Sequence, residues 1–260
     1  MAIFMKRRAF AVAATLVLGL ALAAAFPCAG LARAQGEGGV TVTAQVDVVS
    51  RGAEGATSAG HAMDASNVVV WLLPLDHTVE PVSEHPPAHW PQMAQRNKAF
   101  EPHVLVIQVG SMVQFPNKDP FFHNVFSRYN GKRFDLGLYE AGSTKSVRFD
   151  KPGVSYIFCD IHAEMSAAIV AVESRHFAVS DHAGRVTIPN VPSGRYQMRV
   201  WYERSLPDEL KALTRTVTIS ASDHVLEPIR VATNPNFTLG HKDKNGLDYV
   251  PPANAGYSHP

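Results

Sequence analysis

Tyr156-Ile157-Phe158-Cys159-Asp160-Ile161-His162-Ala163-Glu164-Met165 runs an apolar strand into a loop carrying a thiol, an imidazole and a thioether within seven positions. Lys151-Pro152-Gly153 turns the chain before this strand, and Ala167 to Val172 follows the loop as another apolar strand. A tight loop framed in this way can converge its side chains on one point. Working outward, Val104 to Val109, Met112 to Phe115, His123 to Ser127 and Thr144 to Phe149 read as further strands. Gly110-Ser111 and Asn117-Lys118-Asp119-Pro120 read as turns between them. Many short strands with regular turns predict an all-β sandwich or barrel.

The significance of the thiol depends on where the chain goes. Lys6, Arg7 and Arg8 precede an apolar stretch from Ala9 to Phe26, and Ala32-Arg33-Ala34 offers small residues for cleavage before Gln35. Residues 1–34 are therefore expected to be a signal peptide, which directs the protein to the periplasm or outside the cell. An uncleaved anchor is the competing reading, since the stretch is long for a signal. Its weakly apolar alanines and its end at Pro27 favour cleavage, after which nothing is expected to span a membrane. Cys28 follows Pro27, a poor context for lipid attachment, and leaves with the signal. Basic residues then fall from 24 to 20 against an unchanged 23 acidic ones, a net charge of −3 with neutral histidines. That balance gives no basic footprint for nucleic acid. Of the two cysteines only Cys159 remains. A lone exported thiol is buried and inert, paired between chains, or tied up by a metal.

The surroundings of Cys159 favour the metal. His123, thirty-six residues earlier at a strand and turn boundary, supplies a second imidazole. A C-x2-H pair alone is weak, and a lone strand histidine is usually structural. Here the thiol has no partner cysteine, the methionine follows at a short offset, and strands frame the loop. One Cys, two His and one Met form a soft donor set suited to a single copper ion, with the thioether as a weak axial ligand. Zinc would more often recruit further cysteines, histidines or carboxylates.

Three stretches resemble the cupredoxins, the type 1 blue copper proteins of the plastocyanin and amicyanin group. They are Phe100-Glu101-Pro102 through Val109-Gly110-Ser111-Met112-Val113-Gln114-Phe115, then His123-Asn124-Val125, then Tyr156 through Met165. The C-x2-H-x2-M spacing is the short amicyanin-type loop. The chain also looks like bacterial plastocyanin-like proteins labelled as methylamine-utilisation proteins. The resemblance implies a Greek-key β-sandwich. It implies His123, Cys159 and His162 as equatorial copper ligands, Met165 as axial ligand, and Asn124 hydrogen-bonded across to the ligand loop. It also implies a carrier cycling Cu(II)/Cu(I) with a redox partner protein, not an enzyme, whose electrons leave through His162. Ala163 and Glu164 stand where amicyanin has Pro and an aromatic residue, which leaves the partner open. A copper carrier or storage protein, and a metal-free binding module of the same fold, are the alternatives.

The expected cupredoxin domain covers residues 35–173 and includes strands near Val40 and Val68. Pro74, Pro81, Pro86, Pro87 and Pro91 mark residues 74–99 as a surface excursion. His77, His85, His89 and His103 in or near it read as solvated loop histidines, because irregular spacing among prolines gives no fixed chelate. Phe121, Phe122 and Phe126 flank His123, and at most one of Phe121 and Phe122 is expected to be exposed if the strand is regular. Residues 174–232 resemble a small transthyretin-like or carboxypeptidase-regulatory β-sandwich, through Asp181-x-x-Gly184-Arg185 and Val191-Pro192-x-Gly194-Arg195-Tyr196. The tail, 233–260, has no periodicity and is expected to be flexible or draped over the surface.

Overall fold

The computed structural model describes residues 39–51, 63–76, 89–128, 131–238 and 240–249. The expected signal segment, Cys28, His77, His85 and the end of the tail lie outside these residues. All described residues belong to one compact unit, Gly36–Pro260. Among them no helix is long and apolar enough to cross a membrane.

The fold is nearly all β. In chain order the strands are β1 (Val40–Ser50), β2 (Val69–Pro74), β3 (Ala94–Arg96), β4 (Ala99–Glu101), β5 (Val104–Gln108), β6 (Met112–Pro116), β7 (His123–Ser127) and β8 (Phe134–Tyr139). Then come β9 (Thr144–Arg148), β10 (Gly153–Phe158), β11 (Ser166–Val172), β12 (Phe177–Val179), β13 (Arg185–Val191) and β14 (Gly194–Trp201). A single helical turn and a half, α1 (Pro207–Ala212), precedes β15 (Arg215–Ile219) and β16 (Ile229–Thr233).

Two sandwiches result. One is built from a five-stranded sheet, β5-β11-β10-β7-β8, with the pairs β6-β9 and β3-β4. Its core gathers Val113, Phe115, Val125, Phe149, Ile157 and Ile169. The other faces a four-stranded sheet, β12-β2-β14-β15, with a three-stranded one, β13-β1-β16. Strict alternation along β1 buries Val42, Ala44, Val46 and Val48 in that second core, as period-two patterning requires.

This pairing differs from the expected division at residue 173. β1 runs antiparallel to β13 and parallel to β16, while β2 lies between β12 and β14. Both N-terminal strands thus complete the C-terminal sandwich, and residues 89–172 form the first sandwich as a continuous insert. Val69, Val104, Val170 and Val172, flanked by Trp71 and Trp201, form an apolar layer that joins the two. β11 is therefore covered on both faces: Ile169 enters one core and Val170 the joining layer. Such double burial explains its unbroken apolar reading.

Residues 91–99 are not an excursion. The Met93 amide donates to the Gln114 carbonyl at 2.9 Å, and β3 and β4 form a hairpin. Its two turn residues, Asn97 and Lys98, both have positive φ, 54° and 56°, the conformation a two-residue hairpin of this kind needs. Gly184, with φ of 77°, serves the other sandwich: its carbonyl accepts the Val46 N–H at 2.8 Å. A Cβ there would stand 2.1 Å from the Val46 carbonyl oxygen.

Candidate metal centre

β10 delivers Cys159 to the edge of the first core, and the loop that follows doubles back at once. The Met165 amide donates to the His162 carbonyl at 3.1 Å, and the Cys159 amide to the Met165 carbonyl at 3.3 Å. β7, lying beside β10 through the Phe126 and Phe158 pair, brings His123 to the same place. Cys159 and His123 have no solvent exposure, and Met165 is buried in the same core as Cys159. His162 is half-buried.

The donor atoms converge. The Cys159 Sγ lies 3.8 Å from His123 Nδ1 and 3.5 Å from His162 Nδ1, and one ligand atom from each residue falls within 4.8 Å of the others. The two imidazole rings stand 4.9 Å apart between centroids, with Phe121 at 5.1 Å and 5.8 Å from them. Phe122 and Ile161 are exposed beside this group. Phe121 is half-buried, so the expected contrast between the two phenylalanines is present.

Asp119 aims the first histidine. Its Oδ2 lies 2.8 Å from His123 Nε2, with both side chains buried. A carboxylate there holds the proton on Nε2 and leaves the Nδ1 lone pair facing the sulfur. The Asp119 carboxyl itself accepts the Asn97 and Lys98 amides, at 2.6 and 2.9 Å. The β3–β4 hairpin is thus the platform under this aspartate. Burial pushes the Asp119 carboxyl up, but the Lys98 amide, His123 and the Asn97 amide outweigh it and hold it below the usual range. Sequence reading took Asn117-Lys118-Asp119-Pro120 for a turn only. The available signal was a carboxylate four residues before a candidate ligand.

Burial also governs the donors. It pushes the Cys159 thiol up, against the backbone N–H groups of Asn124, Ile161 and His162 that face the sulfur. It pushes His162 down, helped by the charges of His123 and Lys98. A neutral imidazole with a free lone pair is the form a metal needs. Two imidazoles and a thiol poised among amide donors fit a soft, thiolate-binding ion such as copper, since those N–H groups stabilise the deprotonated sulfur.

The Asn124 side chain does not cross to the ligand loop. Its Nδ2 donates to Asp135 Oδ1 at 2.7 Å, and its Oδ1 is buried with no hydrogen-bond partner among the described residues. The contact of Asn124 with the site is its backbone amide, which faces Sγ. Asp135, from β8, captures the side chain because it lies one strand away on the side opposite the loop.

The tail returns to the site. Tyr249 donates its hydroxyl to the Cys159 carbonyl at 2.7 Å, and the Lys244 amide donates to Asp160 Oδ1 at 2.9 Å. The Lys244 ammonium lies 3.5 Å from Asp160 and 3.6 Å from Asp135. His241 stacks on Phe158 at 4.2 Å and 26°. Among the other histidines, His89 is exposed, whereas His103, in the bend between β4 and β5, is half-buried and pairs with Glu203 Oε2 at 2.7 Å.

No family model and no curated protein sequence matches the chain. Among solved structures, a purple cupredoxin from Nitrosopumilus maritimus is similar over 32% of this chain and 99% of its own, at 23% identity and a TM-score of 0.29. A copper-containing nitrite reductase from Thermus scotoductus SA-01 is similar over 39% of this chain, which spans 27% of the reductase, at 25% identity and a TM-score of 0.33. Amicyanin from Paracoccus versutus is similar over 34% of this chain and 85% of its own, at 18% identity and a TM-score of 0.31.

Proposed function

We propose that this chain holds one copper ion between His123, Cys159, His162 and Met165 and acts as an exported type 1 electron carrier of the cupredoxin kind. The observation that carries the reading is the convergence of the Cys159 sulfur with Nδ1 of both histidines, inside 4.8 Å. Copper bound there supplies one-electron chemistry, passing between Cu(II) and Cu(I).

The residues of the chain do the rest. Asp119 keeps the proton on His123 Nε2 and turns Nδ1 inward. The amides of Asn124, Ile161 and His162 receive the negative charge of the Cys159 thiolate. Complete burial of Cys159 and His123 excludes water, so neither donor rearranges through hydration. A donor set locked by its surroundings changes little when an electron arrives or leaves, which keeps the barrier low. His162, half-buried beside exposed Ile161 and Phe122, is the donor a docked redox partner would approach.

The test is a visible and electron-paramagnetic spectrum of the copper-loaded protein. Intense thiolate-to-copper absorption, lost in Cys159→Ser, is the expected result. Bound copper without that colour, freely exchanged with a chelator and lacking a reversible couple, would favour carriage or storage of copper. A protein that retains no copper would leave a binding module.

A further inference from the structure

We infer that residues 241–249 brace the metal loop, with Lys244 and Tyr249 as its positioning residues. The purpose given to the brace rests on the copper reading above.

The internal contacts of the loop leave its outward-facing polar groups to other parts of the chain. Two backbone hydrogen bonds fold it back on itself and the Ile161 and His162 amides face the sulfur, while the Cys159 carbonyl and the Asp160 carboxylate turn outward to the tail. The tail engages the start of the loop through three kinds of contact. The Tyr249 hydroxyl holds the carbonyl of Cys159 itself. The Lys244 amide and ammonium both engage Asp160, the next residue. The His241 ring covers Phe158, the residue before. Three consecutive residues centred on the sulfur-bearing one are thus fixed by a segment more than eighty positions away in the chain.

Lys244 also closes a circuit. Asp135 accepts the Asn124 side chain on Oδ1 and faces the Lys244 ammonium through Oδ2. Asn124, whose amide faces Sγ, is thereby linked to the loop through Asp135, Lys244 and Asp160, without the direct side-chain bond expected from sequence. The brace ties the two stretches that carry the donors, β7 and the loop after β10.

The experiment uses the full chain without metal and follows alkylation of Cys159 by iodoacetamide, mapped by mass spectrometry so that Cys28 is counted separately. Lys244→Met and Tyr249→Phe are each expected to speed alkylation about fivefold, and the double variant roughly 25-fold, at low urea. Lys244→Arg is expected to restore the wild-type rate, since it keeps the charge. The added reactivity should be insensitive to low urea, the mark of a local opening. Copper release to a chelator should accelerate in the same order. A double variant within twofold of wild type would overturn the inference, and so would a rise that tracks global unfolding across the urea series. If the copper-loaded wild type lacks thiolate-to-copper absorption, the carrier reading fails, while alkylation of the metal-free chain still judges the brace.

Discussion

Asp119→Ala is the most informative single substitution, because one carboxylate serves three donors. The Asn97 and Lys98 amides belong to exposed turn residues and can turn to water, so each lost bond costs about 0.5–1 kcal/mol. The His123 ring has no exposure, and its Nε2–H, left without an acceptor, costs about 1–3 kcal/mol. The metal-free protein should therefore lose about 2–5 kcal/mol in urea denaturation, or roughly 10 °C in Tm for a unit of this size. Asp119→Asn keeps an acceptor and the shape while discarding the charge, and should lose about 1–2 kcal/mol. Copper affinity should fall about 10–100-fold in the Ala variant. The carboxylate favours the more highly charged ion, so the potential should rise, by about 59 mV for each tenfold loss of Cu(II) over Cu(I) affinity. The stability gap between wild type and variant depends on pH. The folded Asp119 carboxyl sits below its ordinary value of 3.8, so its contribution is complete above that pH and is lost as pH falls through the folded value. Unchanged urea midpoints together with unchanged copper affinity would refute the reasoning, since His123 would then be oriented by something else.

Other perturbations test other parts of the fold. Gly184→Ala should destabilise by about 2 kcal/mol or more, because φ is positive and the new Cβ meets the Val46 carbonyl; an unshifted urea midpoint would count against that contact. Ile169→Ala empties a site with no exposure in β11, an interior strand of the five-stranded sheet, and should cost about 2–5 kcal/mol by chemical denaturation. The hydrogen bond to Glu203 raises His103, so that pair stabilises the fold fully below pH 6.5 and less as pH climbs through the raised value. Glu203→Gln should therefore narrow the stability difference between pH 5.5 and pH 9, by less than about 1 kcal/mol because His103 is partly solvated, and a variant with the wild-type pH profile would discount the pair.

The loop from Cys159 to Met165 was legible because its chemistry is local: three ligand types in seven positions between two apolar strands. Many of the strands were legible, β1 from its alternation and β11 from its apolar run, whereas β3, β4 and β8 were not. What alternation does not encode is the partner. Val42, Ala44, Val46 and Val48 say which face of β1 is buried, and the same face would suit either sandwich. Only the tertiary pairing with β13 and β16 decides. Asp119 escaped notice because an aspartate before proline is ordinary turn chemistry, and its role needs the hairpin at Asn97 and Lys98, twenty-odd residues away. Lys244 and Tyr249 escaped because a segment without periodicity carries no sign of what it packs against.

The threading of the chain dictates an order of assembly. Residues 89–172 are contiguous, so every strand of their sandwich is on hand as soon as they have been synthesised. Of the described strands β1 is made first and must wait longest, since its parallel neighbour β16 ends at Thr233. Long-range pairing of this kind forms late: β1 presents two unsatisfied edges until β13 is available and one until β16 is. A truncated or stalled chain would therefore be at risk of sticking at β1 while the sandwich of residues 89–172 is already complete.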